Sequence, residues 1–168
     1  MKAALLVLSA LVLLAIAALF VLAIHSRSLA PPERADVRLP SCPASPNCVS
    51  SEYPDDAAHY IEPLELPQDM PADAALNQLG AQVRELGGEV KGMEDDYLAA
   101  IFRSRILGFV DDLQLRLDTQ ERLVHVRSAS RVGRGDLGAN RSRVEALRRH
   151  WQRTVMNELV NNQNVTGK

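Results

Sequence analysis

A run of 22 residues without a charge, Ala3 to Ile24, limits what this chain can become before any other feature is considered. As a helix at about 1.5 Å per residue it reaches roughly 33 Å, slightly more than the hydrocarbon core of a bilayer. Its one polar residue, Ser9, can bond back to its own helix. Three readings compete for the run. A cleaved signal peptide has a shorter apolar core, about 7–15 residues, and a small-residue cleavage site. The nearby candidate, Ser28-Leu29-Ala30, is followed by Pro31 and Pro32, which disfavour cleavage. A buried core helix, the third reading, fits poorly with a run that is apolar on every side and leads into a proline-rich segment. A transmembrane anchor over residues 1–25 is the reading adopted.

Orientation is set by opposing signals. Arg27, Arg34 and Arg38 follow the span and only Lys2 precedes it, which by loop charge alone holds the downstream part in the cytoplasm. A span beginning at the third residue resembles a signal-anchor, however, and long downstream domains cross largely regardless of charge. The expected topology is single-pass, N-inside, with an extracytoplasmic, periplasmic-type soluble domain in the cell envelope.

Residues 26–40 read as a linker, with Pro31, Pro32 and Pro40 and few large apolar side chains. The rest is long enough for one domain with a real core, expected over 41–162, with a tail at 163–168. Charge is lopsided within it. Ser41 to Asp96 holds twelve acids against Arg84 and Lys91, and Tyr97 onward holds seven acids against thirteen bases. The two halves can pair with each other, or the second half can present a basic surface to an anion. With aromatics at 4% and no dense basic run, no nucleic-acid partner is expected.

The periodicities predict an α+β fold: an antiparallel β-sheet covered by two helices. His59–Leu66 reads as a short strand confined to an edge by Pro63. Pro71–Leu86 reads as an amphipathic helix with Leu76, Leu79, Val83 and Leu86 on one face, ended by Gly87-Gly88. Strands follow at Glu89–Glu94, Tyr97–Ile106, Phe109–Leu117 and Arg122–Ser128. Leu98, Ala100, Phe102 and Ile106 are expected to face inward in the second of these. Leu113, Leu115 and Leu117 are expected inward in the third, with Gln114 and Arg116 outward. The last helix is expected at Asn140–Asn161, with the stripe Val144, Leu147, Trp151, Val155 and Leu159.

Cys42-Pro-Ala-Ser-Pro-Asn-Cys48 closes a tight loop stiffened by two prolines. A disulfide there removes unfolded-state entropy worth about 2 kcal/mol. Free thiols, a redox pair or a metal site remain alternatives, although redox chemistry usually uses Cys-x-x-Cys and zinc needs further ligands, with His59 the nearest. Asp111-Asp112 opens a strand, and alternation turns Asp111 inward. A buried carboxylate there is either a general acid or base or one half of an Asp–Arg pair. Arg127, Ser128, Ser130 and Arg131 lead through Gly133, Gly135, Asp136 and Gly138 to Asn140 and Arg141. This strand-to-helix edge suits an anion. Equally, Asp136 or Asn140 can cap the helix while the arginines pair internally. The serines have no histidine base nearby, and neither a nucleophile elbow nor a P-loop is present. His25, His59, His125 and His150 form no metal-ligand spacing, with His125 expected outward, so neither a metal nor a cofactor is expected.

Taken together, CPASPNCVSS, the Phe109…Asp111-Asp112 strand, RSASRVG and DLGANR resemble the family called domain of unknown function 1499, over about Ser41 to Trp151. The positions that carry the resemblance are Cys42, Pro43, Ser45, Pro46, Asn47, Cys48, Asp111, Asp112, Arg127, Ser128, Ser130, Arg131, Asp136, Asn140 and Arg141. It implies a small domain behind a signal or membrane segment and transfers no catalytic mechanism.

The functional expectation is a binding domain. Arg127, Arg131 and Arg141 would hold an anionic small molecule, a lipid head group or an envelope protein, oriented by Ser128 and Ser130, with Asp136 and Asn140 in the same ligand site and Asp111 or Asp112 fixing the arginines. The alternatives are a hydrolase using Asp111 and Asp112, and a scaffold for a membrane assembly. Geometry separates the first two. Aspartates open to one shared pocket favour catalysis, and aspartates each locked to an arginine are structural.

Overall fold

A computed structural model of the protein describes residues 1–31, 37–68 and 70–166, with side chains described up to residue 157. Residues 32–36 of the expected linker, the last two residues of the expected tail and the side chain of Leu159 lie outside the described residues. The fold is α+β: an N-terminal apolar helix, then an antiparallel six-strand sheet with two further helices.

Helix α1 spans Lys2–Ser28. It is long and apolar enough to cross a membrane, a property that signal sequences near an N-terminus share. Its large side chains from Leu5 to Ile24 are exposed, as an all-apolar surface requires if lipid is its solvent. Only its last turns touch the domain, with Ala23 and Ser26 buried against β5.

Strand β1 (Cys48–Ser50) and β2 (Leu64–Glu65) come first, then α2 (Ala72–Glu85). Strands β3 (Glu89–Glu94), β4 (Tyr97–Arg103), β5 (Val110–Asp118) and β6 (Leu123–Ser130) follow, and α3 (Ala139–Thr166) closes the chain. The sheet order is β1-β6-β5-β4-β3, and β2 shares the outer edge of β6 with β1. Short turns between β3 and β6 force neighbouring strands to run antiparallel. β3 is an exposed edge, bulged between Val90 and Gly92, which blunts further strand pairing.

One face of the sheet is the apolar core. Leu98, Leu113, Leu115, Leu117, Val124 and Val126 meet Leu76, Leu79 and Val83 of α2 and Val144, Leu147 and Trp151 of α3. Leu98, Leu115 and Val126 stand side by side in register, so these leucines and valines form one row under both helices. Gly87, at φ +86°, ends α2 in a conformation that side chains rarely adopt.

Several expectations change, and the strand read at His59–Leu66 shrinks to Leu64–Glu65. The sequence-predicted strand to Ile106 stops at Arg103, because Ser104–Phe109 turns back on itself. Phe109 accepts from the Ser104 N–H at 2.9 Å, and the Ser104 hydroxyl accepts from the Phe109 N–H at 3.0 Å. Ile106 is therefore not inward but 92% exposed. The segment around Cys48, expected as loop, is strand β1, and it carries β6 on to Ser130. The second face of the sheet is not open to water either. Gln114 and His125 are buried there, and Leu39, Ser51 and Glu52 are buried as well. Polar groups can line this face because they pair with one another. Arg116 makes a two-point contact with Glu52 at 2.8 and 3.3 Å, Glu52 accepts from the Leu39 N–H, and His125 Nδ1 lies 3.2 Å from the Ser51 hydroxyl.

Candidate functional site

The sequence candidates converge at one end of the sheet, where β5 begins, β6 ends and α3 starts. Alternation sends Asp111 and Asp112 to opposite faces. On the helix-bearing face, Arg143 donates to Asp111 at 2.6 Å while its guanidinium lies 4.5 Å from the centre of the Phe102 ring. On the other face Arg131 grips Asp112 through two parallel hydrogen bonds, at 2.8 and 2.7 Å, with both side chains nine-tenths or more buried. The two aspartates therefore share no pocket, and each is bonded to an arginine.

The serines and Asn140 form a second layer. The Ser128 hydroxyl donates to Asn140 Oδ1 at 2.7 Å, and Arg143 donates to both oxygens. Asn140 Nδ2 reaches the Asn47 carbonyl, the Ser130 hydroxyl and the Asp136 carboxylate, all within 3.0 Å. Asp136 also accepts from the N–H groups of Gly138 and Asn140, so it caps α3. Asn47 Nδ2 donates to the Gly133 carbonyl at 3.0 Å. The Cys42–Cys48 loop is thus tied to the glycine loop through Asn47 and Asn140. Cys42 and Cys48 form a disulfide, their Cα atoms 5.7 Å apart. His59, the sequence candidate for a metal, instead bonds Asp56 at 2.8 Å and the Ser45 carbonyl at 3.2 Å, bracing the same loop.

Arg127 lies on the second face. It is buried and donates to Gln114 Oε1 at 3.2 Å, and Gln114 in turn donates to the Tyr97 hydroxyl. Burial pushes its guanidinium below the usual value, against the pull of Asp112, Tyr97 and Tyr53. Among the described residues its buried Nε has no partner. Arg141 differs from both other candidate arginines. It is exposed, and one Nη donates to the Tyr60 carbonyl at 2.9 Å. Beside it a cavity of about 240 Å³ opens between the disulfide loop and the α3 start, lined by Pro46, Cys48, Val49, Ala58, Gly135, Asp136, Leu137, Gly138, Asn140 and Arg141.

Sequence reasoning missed two features. Arg143 has a readable signal, since Asn140, Arg143, Val144 and Leu147 share one helix face and Asp111 faces inward beneath it. The second is at the opposite end of the sheet, where Asp118, Glu121 and His125 bring ligand-capable atoms within 4.8 Å of one another. Asp118 is already engaged there, accepting from the Gln120 and Glu121 N–H groups and from Arg116. The backbone N–H of Glu121 and the Arg116 guanidinium hold its carboxyl below the usual value, despite partial burial.

Comparison with known proteins agrees with these segments. The family described as protein of unknown function (DUF1499) matches residues 38–150, from just before the buried Leu39 to just before Trp151. No curated protein matches the chain. The matched region covers both tied loops, the paired aspartates and the start of α3, and the chain belongs to the DUF1499 family.

Proposed function

We propose that the protein is a membrane-anchored extracytoplasmic domain that binds a ligand carrying a phosphate or carboxylate group. The anchor is α1, whose apolar surface is exposed along nearly its whole length. The disulfide supports an oxidising compartment, because such bonds are rare where thiols are kept reduced.

The observation that carries the binding reading is the cavity at Arg141. It lies where the disulfide loop meets the loop before α3, and those loops are locked together by Asn47 and Asn140. Arg141 brings a cation to this cavity, and a single carbonyl occupies it among the described residues. Arg127, Arg131, Ser128 and Ser130 do not line the cavity: Arg127 donates to Gln114, Arg131 pairs with Asp112, and both serines bond Asn140. The divided and arginine-bound aspartates give no support to hydrolysis.

The test is titration of the full-length protein in nanodiscs with inorganic phosphate, glycerol phosphate and acetate, followed by calorimetry. Binding should saturate and weaken with salt. Arg141→Gln should weaken it about tenfold, the loss expected for one charge-assisted hydrogen bond. Arg141→Lys should restore part of the affinity. No saturable binding of any of these anions would refute the reading.

A further inference from the structure

Two loops at the α1 end of the sheet carry large aliphatic side chains with no protein cover. Ile106, in the β4–β5 turn, is 92% exposed, and Leu137, in the loop before α3, is fully exposed. Both loops lie beside α1. A cleft of about 450 Å³ is lined by Leu19 and Leu22 of the helix and by Phe109, Val132 and Leu137, with Asp111 and Asp136 also in its wall.

The position of that cleft along α1 is what matters. The apolar run ends at Ile24, and Leu19 lies five residues earlier, roughly 7 Å along the axis. The two loops therefore descend past the end of the apolar run. They are fixed there by several bonds. Arg27 donates to the Gly108 carbonyl at 3.1 Å and also to the Leu107 carbonyl. The Ser26 hydroxyl accepts from the Val110 N–H at 2.9 Å, and Arg131 donates to the Leu29 carbonyl. Each loop also holds an exposed arginine near its tip, Arg105 beside Ile106 and Arg134 three residues before Leu137, and neither makes an ion pair among the described residues.

We infer that these loops are a second membrane contact, with Ile106 and Leu137 seated at the boundary between head groups and acyl chains and Arg105 and Arg134 against lipid phosphates. The inference rests on α1 crossing the bilayer as proposed above. Its chemistry is that of an interfacial element: apolar tips buried about 5–10 Å deep, flanked by cations that attract anionic lipid. Leaving two such aliphatics in water beside a lipid-embedded helix would waste apolar area that the same bilayer can cover.

Tryptophan scanning of the full-length protein in vesicles of phosphatidylcholine and phosphatidylglycerol with brominated acyl chains tests it. The chain's own Trp151 is buried in the core, and its emission is subtracted using the unsubstituted protein. Ile106→Trp and Leu137→Trp should each lose emission in the brominated vesicles relative to non-brominated ones, as bromine on the acyl chains quenches an indole seated at this depth. Leu14→Trp, in the middle of α1, should be quenched at least as much, and Gln120→Trp, in the far hairpin, should be unaffected. Quenching at Leu14 with none at positions 106 and 137 overturns the loop contact and leaves the anchor standing. No quenching at Leu14 overturns the anchor and the loop contact with it.

Discussion

At the scale of single residues, the arginines divide by whether a carboxylate faces them. Arg131 meets Asp112 with both groups almost wholly buried, so neither can be removed alone without stranding the other. Arg131→Ala should cost about 3–5 kcal/mol in unfolding, the range for an uncompensated buried charge. The double variant Arg131→Ala with Asp112→Ala should recover much of that loss, measured by denaturant unfolding in detergent. Alternation along Leu113, Leu115 and Leu117 was enough to turn Asp111 inward, toward the helix side where Arg143 holds it. It was not enough to choose the partners. An Asp–Arg pair joins positions 19 or 32 residues apart in sequence, and several arginines have the right chemistry. Arg143 escaped notice because a charge at the margin of an apolar stripe reads as the solvent flank of a helix.

At the scale of elements, the β5–β6 hairpin shows how one carboxylate organises a turn. Asp118 accepts two backbone N–H groups at 3.0 Å and pairs with Arg116. Its folded-state proton affinity is therefore depressed. A carboxyl depressed on folding stabilises the protein above its unfolded value of about 3.9, and that stability is lost as pH falls through the lower folded value. Thermal unfolding of Asp118→Asn should accordingly change less than that of the parent between neutral pH and pH 3. The strands on either side of this turn were readable because they alternate strictly. β1 was not, because Cys48-Val49-Ser50 is too short to show a period and owes its conformation to pairing with Arg127–Ala129. The overlong reading of β4 has a similar cause. Ile106 continues the apolar rhythm of the strand, and nothing local reports that the Ser104 hydroxyl bends the chain before it.

At the scale of the whole molecule, the helix-covered face of the sheet was legible and the other face was not. Gln114, Arg116 and His125 look like water-facing positions because polar residues alternate there with leucine and valine. Instead Glu52 and Ser51 bond Arg116 and His125 with matching donors and acceptors, and Gln114 is tied to Tyr97 and Arg127. That match between distant segments has no period to detect. The Cys42–Cys48 disulfide closes the loop that precedes Ser51 and Glu52. Reduction, or Cys42→Ser with Cys48→Ser, should lower stability by about 2 kcal/mol from loop entropy alone, read from unfolding with and without reductant. The last turns of α1 are bonded to the start of β5 by Ser26 and to the turn before it by Arg27. These bonds join the domain directly to the end of the helix. With α1 crossing a bilayer as proposed, the domain reaches no further than about its own height, and a molecule it binds is met close to the plane of the membrane.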